Sequence, residues 1–141
     1  MRQNVRELAL DGLIQVEKSG AYSNLLLNNL IEKSTIDRKD IGLLTEIVYG
    51  TIQRRDTLDY YLQPFFKKKV EAWVRVLLRL SLYQMIYLDR VPERAAIHEA
   101  VEIASVAGIR IAGMVNGVLR SIQREGVPSV DEIKVSRTFI E

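Results

Sequence analysis

The stretch VEAWVRVLLRLSLYQMIYL, residues 70–88, contains fourteen apolar or aromatic residues among its nineteen, and neither Gly nor Pro interrupts it. Glu71, Arg75 and Arg79 recur every four residues, which places them on one narrow line of an otherwise apolar helix. The pattern predicts a central buried helix that other helices surround and that shows solvent one thin polar strip. A membrane span is disfavoured, because each of these charges would cost roughly 2.5–3.5 kcal/mol near the bilayer centre.

Composition places the chain among single globular domains. Its 141 residues, 48% of them hydrophobic and 27% charged, suffice for a full-sized core. The absence of Cys excludes disulfides, thiolate zinc sites and a cysteine nucleophile, and the start of the sequence lacks a secretory pattern, so we expect a cytoplasmic protein. The net charge is only +2, yet residues 54–90 hold eight Lys and Arg against four Asp and Glu. The basic character therefore concentrates around the central helix.

Apolar residues recur at helical spacing along most of the remaining chain, and the alternation typical of strands is absent. Asp37 is predicted to cap the third helix, and the Pro-containing segment 89–92 is predicted to form a turn. Besides the central helix, the pattern predicts helices at about 5–20, 26–34, 37–54, 58–66, 97–108 and 111–126. We therefore expect an all-α domain over residues 1–126 and a tail or the start of a linker over residues 127–141.

A search for catalytic chemistry finds little. His98, the sole histidine, lies one turn before Glu102, a pair that could serve as base and orienter, but no nucleophile accompanies it. We expect His98 to be a surface or hydrogen-bonded structural residue. The glycines form no phosphate-binding loop, and Gly113 and Gly117 are expected to let another helix approach closely. We therefore predict no catalytic, cofactor-binding or metal-ligating residue in this chain.

A binding surface is the stronger hypothesis, because clustered cations can neutralise phosphates. Aromatic residues nearby in the sequence could stack on unpaired bases. The candidate cations around the central helix are Lys67, Lys68, Lys69, Arg75 and Arg79. The candidate stacking residues are Tyr60, Tyr61, Phe65 and Phe66.

Each of these features also has a purely structural interpretation. Glu71 and Arg75 could form an ion pair on a solvated face, and the aromatic residues could belong to the core. Arg75 and Arg79, flanked by apolar surface, could instead pair with a carboxylate such as Glu46 or Glu99. From composition alone, a module that binds another protein rivals nucleic-acid binding.

Several long stretches resemble the NusB fold. The C-terminal half of that pattern is matched by VLLRLSLYQMIYLDRVPERAAIHEAVEIA (76–104) and MVNGVLRSIQRE (114–125). Within the superfamily the chain is more similar to the N-terminal domain of the RsmB (Sun/Fmu) family, methyltransferases that make 5-methylcytosine in small-subunit (16S) ribosomal RNA. The stretches AYSNLLLNNLI (21–31), LLTEIVYGTIQRRDTLDYYL (43–62) and YLDRVP (87–92) carry that similarity, as does Arg120, where NusB commonly has an acidic residue.

The resemblance implies a NusB-like bundle of about seven helices, arranged as two antiparallel three-helix halves around the central helix. It also implies an RNA-facing surface that begins at the first helix, where Arg2 and Arg6 match basic residues of the family. The implied function is an RNA-binding accessory domain that positions ribosomal RNA for a methyltransferase. The alternative is an antitermination-type module that binds both RNA and a small-subunit ribosomal protein.

The chain also departs from the family pattern. His98 stands where the family has Asn, so contacts made by that Asn are in doubt. The catalytic half is missing, because the chain has neither a glycine turn for S-adenosylmethionine nor a cysteine to attack cytosine. We therefore expect no enzyme activity and no cofactor on this chain, and S-adenosylmethionine chemistry in a parent methyltransferase. The expected partners are ribosomal RNA and that methyltransferase domain, and no membrane.

Overall fold

The computed structural model of the chain describes residues 4–127, which form seven α-helices and two 3-10 turns and contain no strand. The helices are α1 (Val5–Ser19), α2 (Asn24–Lys33), α3 (Ile41–Gln53), α4 (Arg55–Leu62), α5 (Ala72–Tyr87), α6 (Glu93–Ser105) and α7 (Ile109–Glu125). The 3-10 turns cover Arg38–Asp40 and Gln63–Phe65. The predicted all-α fold is confirmed. Arg2 and the predicted tail beyond Val127 lie outside the described residues.

Helix α5 is the centre of the packing, as the sequence predicts. It contacts α1, α3, α4, α6 and α7. Leu77, Leu78 and Leu82 on this helix have no exposed surface. No helix within residues 4–127 combines the length and apolar character needed to cross a bilayer. The apolar surface of α5 is therefore covered by protein.

The expected polar strip of α5 is only partly correct. Glu71 is exposed, but it precedes the helix, and Arg75 is half-buried. Arg79 retains only 8% of its surface and belongs to the interior, so the prediction is wrong there. The reason is that carboxylates from α1 and α4 reach its guanidinium and hold it against the bundle.

Local signals set the helix ends. The side chain of Asn4 accepts a hydrogen bond of 2.8 Å from the Arg6 N–H and so caps α1, which ends at Gly20 with φ 78°. Ser23 caps α2 in the same way through the Leu26 N–H. Asp37 was expected to cap the third helix, but a 3-10 turn separates it from α3, and its side chain makes no capping hydrogen bond there.

Close helix approach occurs at different glycines from those expected. Gly113 and Gly117 are exposed, and a Cβ added at either would meet nothing within 4 Å, so that prediction is wrong. In contrast, a Cβ on Gly50 would overlap the ring of Tyr83, and one on Gly12 would lie 2.9 Å from a methyl group of Leu30. The contact between α3 and α5 therefore depends on Gly50.

Candidate nucleic-acid interface

The lysine run is the most accessible group of cations among the predicted site residues. Lys67, Lys68 and Lys69 lie in the loop between the second 3-10 turn and α5, and all three are exposed. None forms an ion pair with another residue of the part of the chain described here, 4–127. Their charges are therefore free to meet phosphates.

Arg75 lies close to the lysine run, on the first turns of α5. Its Cζ sits 5.0 Å from the centroid of the Phe66 ring, a cation–π distance. The ion pair with Glu71 that the sequence left open is not formed, and Glu71 instead accepts a hydrogen bond of 3.1 Å from the Trp73 indole N–H. The half-buried guanidinium of Arg75 is thus positioned by an aromatic face.

Arg79 is occupied by protein carboxylates. Its Nε donates to Asp59 Oδ1 at 2.6 Å and its Nη1 donates to Glu17 Oε1 at 3.0 Å. The sequence left open that this arginine pairs with a carboxylate, and the structure favours that interpretation. The partners suggested from sequence were wrong, because Glu46 pairs with Arg90 and Glu99 accepts a hydrogen bond from the Asn4 amide at the start of α1.

Arg6 is also engaged inside the protein. Its Nε donates to Gln84 Oε1 at 2.8 Å, and its Nη1 lies 3.9 Å from Glu99 Oε1. Glu99 also accepts a hydrogen bond of 2.8 Å from the Asn4 amide, while Gln84 is completely buried. This polar cluster joins the start of α1 to α5 and α6. Gln84, a polar exception on an apolar helix, was the sequence signal that could have revealed it.

The aromatic residues near the lysines divide into two groups. Tyr61 is buried in the core, and Phe65 and Phe66 are half-buried against it. Tyr60 keeps 42% of its surface exposed. Of the four candidate stacking residues, Tyr60 therefore offers the most open ring.

An open cleft of about 470 Å³ lies between α4 and the start of α5. It is lined by Asp56, Asp59, Tyr60, Gln63, Phe66 and Arg75. Asp56, Asp59 and Gln63 were not predicted as site residues, since an isolated polar residue carries no sequence signal. Phe66, which lines the cleft, is followed directly in the chain by the lysine run 67–69.

His98 is a surface residue, as expected. Its side chain is 71% exposed, and its Nε2 lies 4.0 Å from Glu102 Oε1. Across residues 4–127, no three His, Cys, Asp or Glu side chains are grouped as metal ligands would be.

The chain resembles known proteins along most of its length. Residues 3–124 match the NusB family. The chain is 58% identical over 136 residues to the probable ribosomal RNA small subunit methyltransferase B of Bacillus subtilis (strain 168), covering 94% of this chain and 30% of that protein. The protein of the same name from Synechocystis sp. is 31% identical over 140 residues, covering 94% of this chain and 31% of that protein. The chain thus spans about a third of the length of these curated relatives.

The comparison with solved structures agrees with the sequence match. A solved structure of T. maritima NusB superimposes with a TM-score of 0.73 at 25% identity, covering 91% of this chain and 96% of that one. The predicted resemblance is therefore confirmed at the levels of sequence, family and fold. Five helices pack around α5, and the family match runs from residue 3 to residue 124, so the chain belongs to the NusB family.

Proposed function

We propose that this NusB-family domain binds ribosomal RNA and positions it for a methyltransferase whose catalytic part lies outside this chain. The observation that carries the proposal is the exposed lysine run 67–69, whose charges have no ion-pair partner among residues 4–127. Free cations on a surface loop bind phosphates through counterion release and do so without reading sequence. The names of the relatives, which are ribosomal RNA methyltransferases, support the choice of RNA.

The proposed contact set differs from the one suggested by sequence alone. Lys67, Lys68 and Lys69 form its centre, with Arg75 at its edge. Arg79 and Arg6 hold the bundle together through carboxylate and amide partners, so we do not assign them to RNA. Arg2 stays a candidate, because it lies outside the described residues.

The proposal also extends to a full-length methyltransferase of which this domain would be a part. S-adenosylmethionine and the cysteine that attacks cytosine would belong to a methyltransferase domain, with which this domain would act in the cytoplasm. An antitermination-type module that also binds a ribosomal protein is the second candidate. Identity favours the methyltransferase, at 58% to the Bacillus subtilis protein against 25% to T. maritima NusB.

The test is the salt dependence of RNA binding. Fluorescence anisotropy would follow the purified 141-residue chain as it binds small-subunit ribosomal RNA fragments at several salt concentrations. Each phosphate contact contributes about 0.7–0.9 to the slope of log K against log salt. Replacing Lys67, Lys68 and Lys69 together by Gln should therefore reduce the slope by about 2 to 3.

A matched control removes the same charge elsewhere. Lys18, Lys33 and Lys39 are also exposed, and their triple replacement by Gln should leave the slope nearly unchanged. Equal effects of the two triple variants would show that binding depends on net charge rather than on this surface. Absence of binding by the unmodified chain at low salt would reject the proposed function.

A further inference from the structure

The cleft between α4 and α5 has a fixed aromatic wall. The Tyr60 ring meets the buried Tyr61 edge to face, with centroids 6.1 Å apart and planes at 69°. Arg75 and Phe66 also line the cleft, and the Arg75 Cζ lies 5.0 Å from the centroid of the Phe66 ring. A planar ligand would therefore meet an oriented, half-exposed ring rather than a freely rotating one.

The cleft presents both hydrogen-bond acceptors and hydrogen-bond donors to a ligand. The carboxylate of Asp59 is held by Arg79 at 2.6 Å and lies 3.9 Å from Arg55 Nε, so neighbouring cations compensate its charge. Asp56 and Gln63 are exposed and contribute acceptor oxygens, while Gln63 and Arg75 contribute donors. Acceptors and donors thus flank the aromatic surface.

We propose that this cleft binds one unpaired RNA base that carries an exocyclic amino group, with the adjoining backbone phosphates on Lys67, Lys68 and Lys69. This inference rests on the proposed function and adds to it a base-binding site. The base stacks on Tyr60, and its amino group donates to a carboxylate, the pairing by which Asp and Glu recognise cytosine N4. Cytosine, adenine and guanine carry such a group, and uracil does not.

A cationic side chain of a partner protein is the rival occupant, since carboxylates line the cleft. Charge disfavours it. Arg75 lines the cleft and Arg79 pairs with Asp59, so an approaching cation meets like charges there. The same charges attract a polyanion, and the aromatic surface suits its bases.

The first arm of the experiment tests stacking. Three labelled RNA hexamers would be titrated with the 141-residue chain and followed by anisotropy. One is all uridine, and the other two carry a single central cytidine or adenosine in place of uridine. Loss of one base stack should weaken binding of the cytidine hexamer by roughly 5- to 150-fold in Tyr60→Ala, with the salt slope unchanged. Tyr60→Phe keeps the ring and should bind within about twofold of the unmodified chain. Tyr49→Ala is the matched control, because Tyr49 is 49% exposed on α3 and also packs edge to face, against Tyr22.

The second arm tests recognition of the amino group. The unmodified chain should prefer cytidine and adenosine to uridine, and Asp56→Ala should reduce that preference while leaving uridine binding unchanged. Melting curves of every variant identify any loss of folding, and the preference among the three hexamers still tests the base site if Tyr60→Ala unfolds.

Equal effects of Tyr60→Ala and Tyr49→Ala, or no preference among the three hexamers, would overturn this inference. Either result would leave the proposed function standing if replacing the lysine run still flattened the salt slope. If Tyr60→Ala weakened the binding of a cationic peptide but not that of RNA, the cleft would be assigned to a protein partner instead.

Discussion

At the scale of single residues, Gly50 decides how closely α3 approaches α5. A Cβ at this position would overlap the ring of Tyr83. Helix propensity alone would make Ala more favourable than Gly by about 1 kcal/mol. Overpacking opposes this and costs about 1–3 kcal/mol in a well-packed interior. We expect Gly50→Ala to lower the free energy of unfolding, as measured by urea titration.

The control for this prediction is Gly113, which lies inside helix α7 with open space around its Cα. Gly113→Ala should raise the free energy of unfolding by about 0.5–1 kcal/mol, because only propensity changes there. If both variants were stabilised, the close approach of Tyr83 to Gly50 would not limit the packing.

Arg79 is the second residue whose role can be separated by measurement. Breaking a buried ion pair costs about 3–5 kcal/mol. Here the Glu17 and Asp59 side chains are 35% and 38% exposed, so water screens the loss. We expect Arg79→Ala to cost about 1–3 kcal/mol of stability, seen as a lower melting temperature.

Comparing Arg79→Ala with Arg75→Ala distinguishes a structural arginine from an RNA-binding one. Arg79→Ala should keep the salt slope of RNA binding, whereas Arg75→Ala should change the melting temperature less, because a cation–π contact contributes about 0.5–1 kcal/mol. Lost RNA affinity with an unchanged melting temperature would assign Arg79 to the RNA surface.

At the scale of elements, α5 supports the bundle through side chains with no exposed surface. Leu77→Ala or Leu78→Ala should each cost about 2–5 kcal/mol, from lost burial plus the cavity left behind. Leu25→Ala on α2 is the matched control, because Leu25 is 68% exposed and should change stability by no more than about 0.5 kcal/mol. Equivalent small losses at all three positions, in chemical unfolding, would contradict the central role of α5.

Elements were predictable because their signals are local. The apolar period of residues 70–88 marked α5, which runs from Ala72 to Tyr87, and Gly20 and Gly126 marked the ends of α1 and α7. Side-chain partners were not predictable in the same way. Arg79 meets Glu17, 62 positions away, and no local pattern distinguishes that carboxylate from Glu46 or Glu99.

The cleft shows the same limit. The lysine run was found because three cations are adjacent in sequence, and their exposure is what the pattern of a charged loop indicates. Tyr60 and Tyr61 are neighbours in sequence, yet one is exposed and the other is core. Only the packing of α4 against α5 decides which ring faces the cleft.

At the scale of the whole molecule, one apolar core joins the described helices. One apolar cluster runs from Val5 to Ile122 and draws on all seven helices. We therefore expect a chain that ends at Val127 to unfold cooperatively, with a helical circular dichroism spectrum. Its melting temperature should lie within about 4 °C of that of the 141-residue chain, since a larger shift would mean a loss above about 1 kcal/mol.

A chain that ends at Gly108 provides the contrast, because it lacks α7. That helix contributes Val115, Val118, Leu119 and Ile122 to the core and packs against both α5 and α6. Without it, apolar surface on both helices would face water, and we expect no cooperative transition. If the chain ending at Val127 also failed to fold, the structural unit would extend past residue 127, and the proposed domain boundary would be wrong. RNA titration of the chain ending at Val127 completes the test. This chain retains the lysine run and the cleft, so the salt slope of RNA binding should be unchanged.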